Sequence, residues 1–170
     1  MYKIGTLLLY DRRGVCRVES VGPAPIRETR GSYYKLRALF SGSGEVIYTP
    51  VEGPAPMRPL IGGAEAEAYL EDFSRLEPDT APGGKPADLS AHCRGLLASR
   101  QVEDCLLLIK ELYLRQQELS RRKKRPGQAD VLYLKLAEKL ICEEFAVALD
   151  TTPERVLERL REGGRREATA

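Results

Sequence analysis

Ile4-Gly5-Thr6-Leu7-Leu8-Leu9-Tyr10, then Asp11-Arg12-Arg13-Gly14, then Val15-Cys16-Arg17-Val18-Glu19-Ser20-Val21 is the stretch whose reading decides the fold. An aliphatic strand runs into a polar turn where Gly14 can take the positive φ a reversal needs, and a second strand returns. Strict alternation places Val15, Arg17, Glu19 and Val21 on one face of that second strand and Cys16, Val18 and Ser20 on the other, the pattern of a half-buried antiparallel strand. Beyond a Gly-Pro-Ala-Pro break at 22–25, residues 26–29 and Tyr33-Tyr34-Lys35-Leu36-Arg37-Ala38-Leu39-Phe40 supply two more extended segments. Ser41-Gly42-Ser43-Gly44 then turns into a last strand over 45–50. Five strands this short bury little as a flat sheet, so a bent, five-stranded partial barrel is the expected form.

Downstream the periodicity changes. Residues 54–63, with three prolines and two glycines, read as a linker between a β module over 1–53 and a helical domain over 64–164. Helical spacing predicts segments at 64–76, 89–99, 102–119 and 129–149, with a loop at 78–84. The third segment carries Val102, Cys105, Leu106, Ile109, Leu112 and Tyr113 on one face. A last helix opens at Thr151-Thr152-Pro153-Glu154, where a threonine caps, Pro153 suits the first turn and Glu154 meets the positive end of the dipole. Gly163-Gly164 is expected to end it, leaving 165–170 as a frayed tail.

At 170 residues, 42% hydrophobic and 31% charged, the chain is long enough for one domain or two small ones. No apolar run approaches the roughly 18 residues of a membrane span, and no basic segment precedes an apolar signal core. A cytoplasmic protein with no membrane partner is expected. Cys16, Cys93, Cys105 and Cys142 stand far apart inside apolar patterns, which suggests buried thiols rather than a zinc site or disulfide framework. The single histidine, His92, has no nucleophile turn near it, and the glycine pairs lack the context of a phosphate loop. Neither catalysis, a metal nor a cofactor is expected; binding is the better class.

Ile4-Gly5 before an aliphatic strand, Tyr10-x-x-x-Gly14-Val15-Cys16-x-Val18, Tyr33-Tyr34-x-Leu36 and a strand closing in Thr49-Pro50-Val51-Glu52 together resemble the CarD/CdnL family of bacterial transcription regulators. Pro59-Leu60-Ile61 before an Ala/Glu-rich helix, the segment from Glu138 to Ala146 and Asp150-Thr151-Thr152-Pro153-Glu154 extend the resemblance over nearly the whole chain. The resemblance implies an α+β protein: a small five-stranded Tudor-like β-barrel at the N-terminus, then an all-α helical domain. It implies that the barrel binds the β subunit of RNA polymerase and that the helical domain touches promoter DNA, altering open-complex stability. A monomer is expected.

By the same resemblance the polymerase contact falls on the last strand, Val46, Ile47, Tyr48 and Thr49, with Arg27 and Arg37 beside it. Family members commonly carry a tryptophan wedge at the start of the DNA-contacting segment. This chain has no tryptophan, and Pro86 or Leu89 stands in its place. Charge alone adds Arg94, Arg100, Lys110, Arg115 and the run Arg121-Arg122-Lys123-Lys124-Arg125 as phosphate-neutralising candidates on a net charge of only +2. Two other classes fit the residues: a small-barrel adaptor that binds protein without DNA, and a general nucleic-acid binder unconnected with polymerase.

Overall fold

The computed structural model describes residues 1–26, 30–53, 56–78 and 86–168. Among these residues the fold is α+β: an antiparallel five-stranded sheet and five α-helices, divided between two compact units, Met1–Leu60 and Ile61–Ala170.

In the first unit β1 (Leu7–Tyr10), β2 (Gly14–Pro23), β3 (Ser32–Ala38), β4 (Val46–Pro50) and β5 (Met57–Pro59) lie in the order β4-β3-β2-β1-β5. Gly14 has φ +93°, so the β1–β2 turn closes where a side chain would be strained. The sheet is not closed: no ladder joins β4 to β5 among the described residues. Its main cluster lies on one face: Leu8, Cys16, Val18, Tyr34, Leu36, Ala38 and Met57, flanked by Tyr2, Tyr10, Val21, Ile47 and Val51, while Leu9 and Val15 are buried on the other.

Two details differ from strict alternation. The β2–β3 register slips between Val18 and Ser20, so Glu19 is an extra residue and the side-chain phase inverts. Val21 consequently packs with Cys16 and Val18 rather than on the opposite face. The segment expected to be a linker contains β5, paired with β1 through Leu8 opposite Pro59 and Tyr10 opposite Met57. Prolines do not exclude it, because an edge strand is hydrogen-bonded on one side only. Ile26 of the expected 26–29 strand sits in an exposed bend, and 27–29 lie outside the described residues.

The second unit contains α1 (Gly63–Asp72), extended by a 3-10 turn (Phe73–Arg75), α2 (Pro86–Ala98), α3 (Val102–Arg121), α4 (Gln128–Ala148) and α5 (Pro153–Ala168). Residues 79–84 of the expected loop lie outside the described residues. Thr152 caps α5, its hydroxyl accepting the amide of Arg155 at 3.3 Å. Gly163 and Gly164 do not end that helix, which runs through them to Ala168. A Cβ on Gly164 would lie 2.6 Å from the ring of Tyr113, so the glycine serves close helix packing rather than termination.

Candidate interaction surfaces

β4 is an edge strand whose burial alternates: Val46, Tyr48 and Pro50 face solvent while Ile47 and Thr49 turn inward. Val46 is 36% and Tyr48 43% exposed, whereas Thr49 is 3% exposed and Ile47 packs on the sheet core. A period of two therefore splits the six residues expected at a polymerase contact. Arg37 lies opposite Val46 and shares its face, and Lys35 lies opposite Tyr48. The side chains of Ile47 and Thr49 are excluded from that face, and Arg27 is outside the described residues.

Arg37 is held in place. Its guanidinium donates to the carboxylate of Glu19 and to the carbonyl of Gly44 at 2.9 Å. Lys35 lies 3.5 Å from the other side of Glu19. The Arg37 hydrogen bond is the main cause that lowers the Glu19 carboxyl, and the reciprocal bond raises Arg37. Sequence reading did not single out Glu19 or Lys35. The alternation in Tyr33-Tyr34-Lys35-Leu36-Arg37 was the available signal, since it already puts Lys35 and Arg37 on the same side.

In the helical unit the DNA-contact candidates separate. Leu89 is 3% exposed and lines the inward face of α2 with Cys93 and Leu97, at a spacing of four. Packing in the core removes it as a surface wedge. Pro86 is the first residue of α2. Arg94 and Arg100 are exposed, whereas Lys110 is fully buried and Arg115 is bound to Asp130, so neither is placed to meet phosphates. All five residues of the basic run are exposed, with Arg122 3.1 Å and Arg121 3.7 Å from Glu118.

The geometry of that run is set by how α3 ends. The amide of Lys124 donates to Leu119 O at 2.8 Å and that of Lys123 to Ser120 O at 3.0 Å, while Lys123 takes φ +56°. This is a Schellman closure with a lysine where glycine is usual, so the chain reverses at Lys123, before the Pro126-Gly127 pair.

A polar cluster that sequence reading missed, with buried carboxylates and an exposed His92, joins α2, α3 and α4. His92 Nε2 meets Glu111 Oε2 at 2.6 Å, and Arg115 Nε donates to Asp130 Oδ1 at 2.5 Å. Asp130 also accepts the amide of Gly127 at 3.2 Å, capping α4. Burial, reinforced by the Glu111 and Asp130 carboxylates, pushes the Cys93 thiol up to about 11, which keeps it protonated and unreactive. Among the described residues no group of three or more His, Cys, Asp or Glu could hold a metal ion.

A cleft of about 440 Å³ lies nearby, bordered by Tyr113, Gln116, Glu138 and Arg161. Its polar groups are already engaged with one another: Tyr113 donates to Glu138 at 2.7 Å and Arg161 lies 3.6 Å from the same carboxylate. Burial and that hydrogen bond raise the Tyr113 hydroxyl.

No described helix is long and apolar enough to cross a membrane. Comparison with protein-family models and with curated proteins finds no match.

Proposed function

We propose that this chain is a transcription regulator of the CarD/CdnL kind, binding the β subunit of RNA polymerase through its sheet unit and promoter DNA through its helical unit. The observation that carries the reading is β4, an edge strand with exposed Val46 and Tyr48 beside the clamped Arg37. An unpaired edge offers main-chain hydrogen bonds to an added strand, and alternate side chains supply selectivity. A Tudor-like module belongs to this reading. Five short antiparallel strands support it, and the open gap between β4 and β5 is a departure from closed barrels.

The DNA half rests on exposed cations, Arg94, Arg100 and residues 121–125, which suit phosphate contacts that position the protein without reading sequence. With Leu89 buried, an apolar wedge at the start of α2 is not part of the proposal. Capture of RNA polymerase β from a bacterial lysate by the full chain tests the core claim, with Val46→Lys/Tyr48→Asp as the control. Enrichment lost in the double variant is expected. Equal recovery by both proteins, or by neither, would overturn the reading; retention of duplex DNA without polymerase would favour a general nucleic-acid binder.

A further inference from the structure

Helix α4 turns its acids inward. Asp130, Glu138, Glu143 and Glu144 are all buried. Asp130 serves Arg115 and the Gly127 amide, Glu138 serves Tyr113, and Glu144 accepts the amide of Ile61 at 3.0 Å. The face of α4 left to solvent over its first three turns is Gln128, Val131, Leu132, Lys135 and Lys139, with Leu136 half-buried beside them. It carries no acid.

Val131 is 52% and Leu132 63% exposed, and among the described residues they are the exposed large hydrophobics of the helical unit. Just ahead of them in the chain stand Lys123, Lys124 and Arg125, all exposed. Glu118 engages Arg121 and Arg122, so its charge is spent on the start of the run and not on these three. An aliphatic pair at the surface flanked by uncompensated cations has a defined complement. Duplex phosphates would satisfy the cations and leave the aliphatic pair in water, whereas carboxylates interleaved with aliphatic side chains satisfy both.

We propose that the outward face of α4, with the loop that precedes it, is a docking site for an acidic, aliphatic-bearing peptide segment of another protein. Gln128 to Lys139 spans about 16 Å at a helical rise, room for about three turns of a partner helix laid alongside. Val131 and Leu132 anchor it, while Lys124, Arg125 and Lys135 steer it and set its orientation. The site is independent of the polymerase contact on β4, but it takes Lys123, Lys124 and Arg125 from the proposed DNA contact, which then rests on Arg94, Arg100, Arg121 and Arg122.

A display library of short random peptides is selected against the full chain and, in parallel, against Val131→Gln/Leu132→Gln. Both side chains are exposed, so the double variant should keep the far-ultraviolet circular dichroism of the parent. Sequences enriched on the parent alone are expected to be rich in Asp and Glu with aliphatic residues at helical spacing. The strongest, made synthetically, should bind the double variant about tenfold or more weaker, and Lys124→Gln/Arg125→Gln should weaken it and reduce its salt dependence. Failure of any sequence to distinguish parent from variant, or enrichment of sequences without acids, overturns the proposal. A comparable loss of affinity for a labelled duplex DNA or for anionic phospholipid vesicles in the aliphatic variant would reassign the face to those partners and equally overturn it.

Discussion

In the sheet unit Glu19 lies at the surface between Arg37 and Lys35, whereas in the helical unit Glu144 is fully buried and accepts the backbone amide of Ile61. The contrast is general. Thr49 is the buried polar residue among those described in the sheet unit, while Lys110, Glu111, Asp130, Glu138, Glu143 and Glu144 are buried in the helical one. Strand alternation sends every charge to one face and leaves the other apolar, and the sheet ladder satisfies its own backbone. Helices leave amides and carbonyls unpaired at their ends, and charged side chains reach those ends from neighbouring helices or from the helix's own first turn. Glu144 and Asp130 meet amides near the starts of α1 and α4, and Lys110 meets the carbonyls of Phe73 and Ser74 beyond α1 at 3.2 and 3.3 Å. Each sign matches the helix dipole. Three of these six buried charges, Lys110, Asp130 and Glu144, hold helix ends, whereas the sheet's Arg37, Lys35 and Glu19 pair with one another within reach of solvent.

The sharpest way to break that contrast is Lys110→Met. Methionine keeps the unbranched stem and its packing beside Phe73 but removes the ammonium, leaving the Ser74 carbonyl without that donor and the Phe73 carbonyl with the amide of Leu76 alone. A loss of about 2 kcal/mol is expected from denaturant unfolding followed by circular dichroism. An unchanged midpoint would mean that the buried lysine is not holding the end of α1.

Next in size is an alkaline effect confined to the helical unit. Burial, then nearby carboxylates, pushes Cys93 up to about 11 and Cys142 up to about 12. Because the folded values lie above the ordinary thiol value of 9.0, the unfolded chain releases protons first as pH rises. The contribution is fully present below about pH 9 and is lost as pH climbs through the folded values, a fall on the order of 1 kcal/mol per thiol. Stability measured across that range should decline, and Cys93→Ala and Cys142→Ala should each flatten the decline. A flat parent profile would contradict the burial assigned to these thiols.

The helices were legible because their apolar faces repeat over many turns: α3 and α4 fall within two residues of the periodicity at each end. What escaped was local. The bulge at Glu19 adds one residue without changing composition, so nothing in the pattern marks the inversion that carries Val21 inward. β5 is too short and too proline-rich to show alternation, and only its partner β1 makes it a strand. Gly163-Gly164 reads as a stop because glycine is a poor helix former; the ring of Tyr113 that demands it comes from a helix some fifty positions earlier. The β4 face was half visible, since naming a strand does not say which alternate residues face out. The His92–Glu111 and Arg115–Asp130 pairs link three helices and could not be read from any one of them.

The smallest effect on stability should come from Arg37→Ala, although Arg37 has the more elaborate set of contacts on the sheet surface. It binds Glu19 and the Gly44 carbonyl. Glu19 lies at the surface, however, so water replaces the lost guanidinium at little cost, and Lys35 at 3.5 Å still compensates its charge. Beneath them Leu36 and Val18 stay paired and buried, and the β3–β4 ladder does not depend on the side chain. The unfolding midpoint of the variant should match that of the parent at low salt and at high salt alike. What should change is recognition: capture of RNA polymerase β should weaken, because a positioned guanidinium beside Val46 has been deleted from the proposed contact face. A lowered midpoint would place Arg37 with the structural charges of the helical unit, and unchanged capture would remove it from the contact.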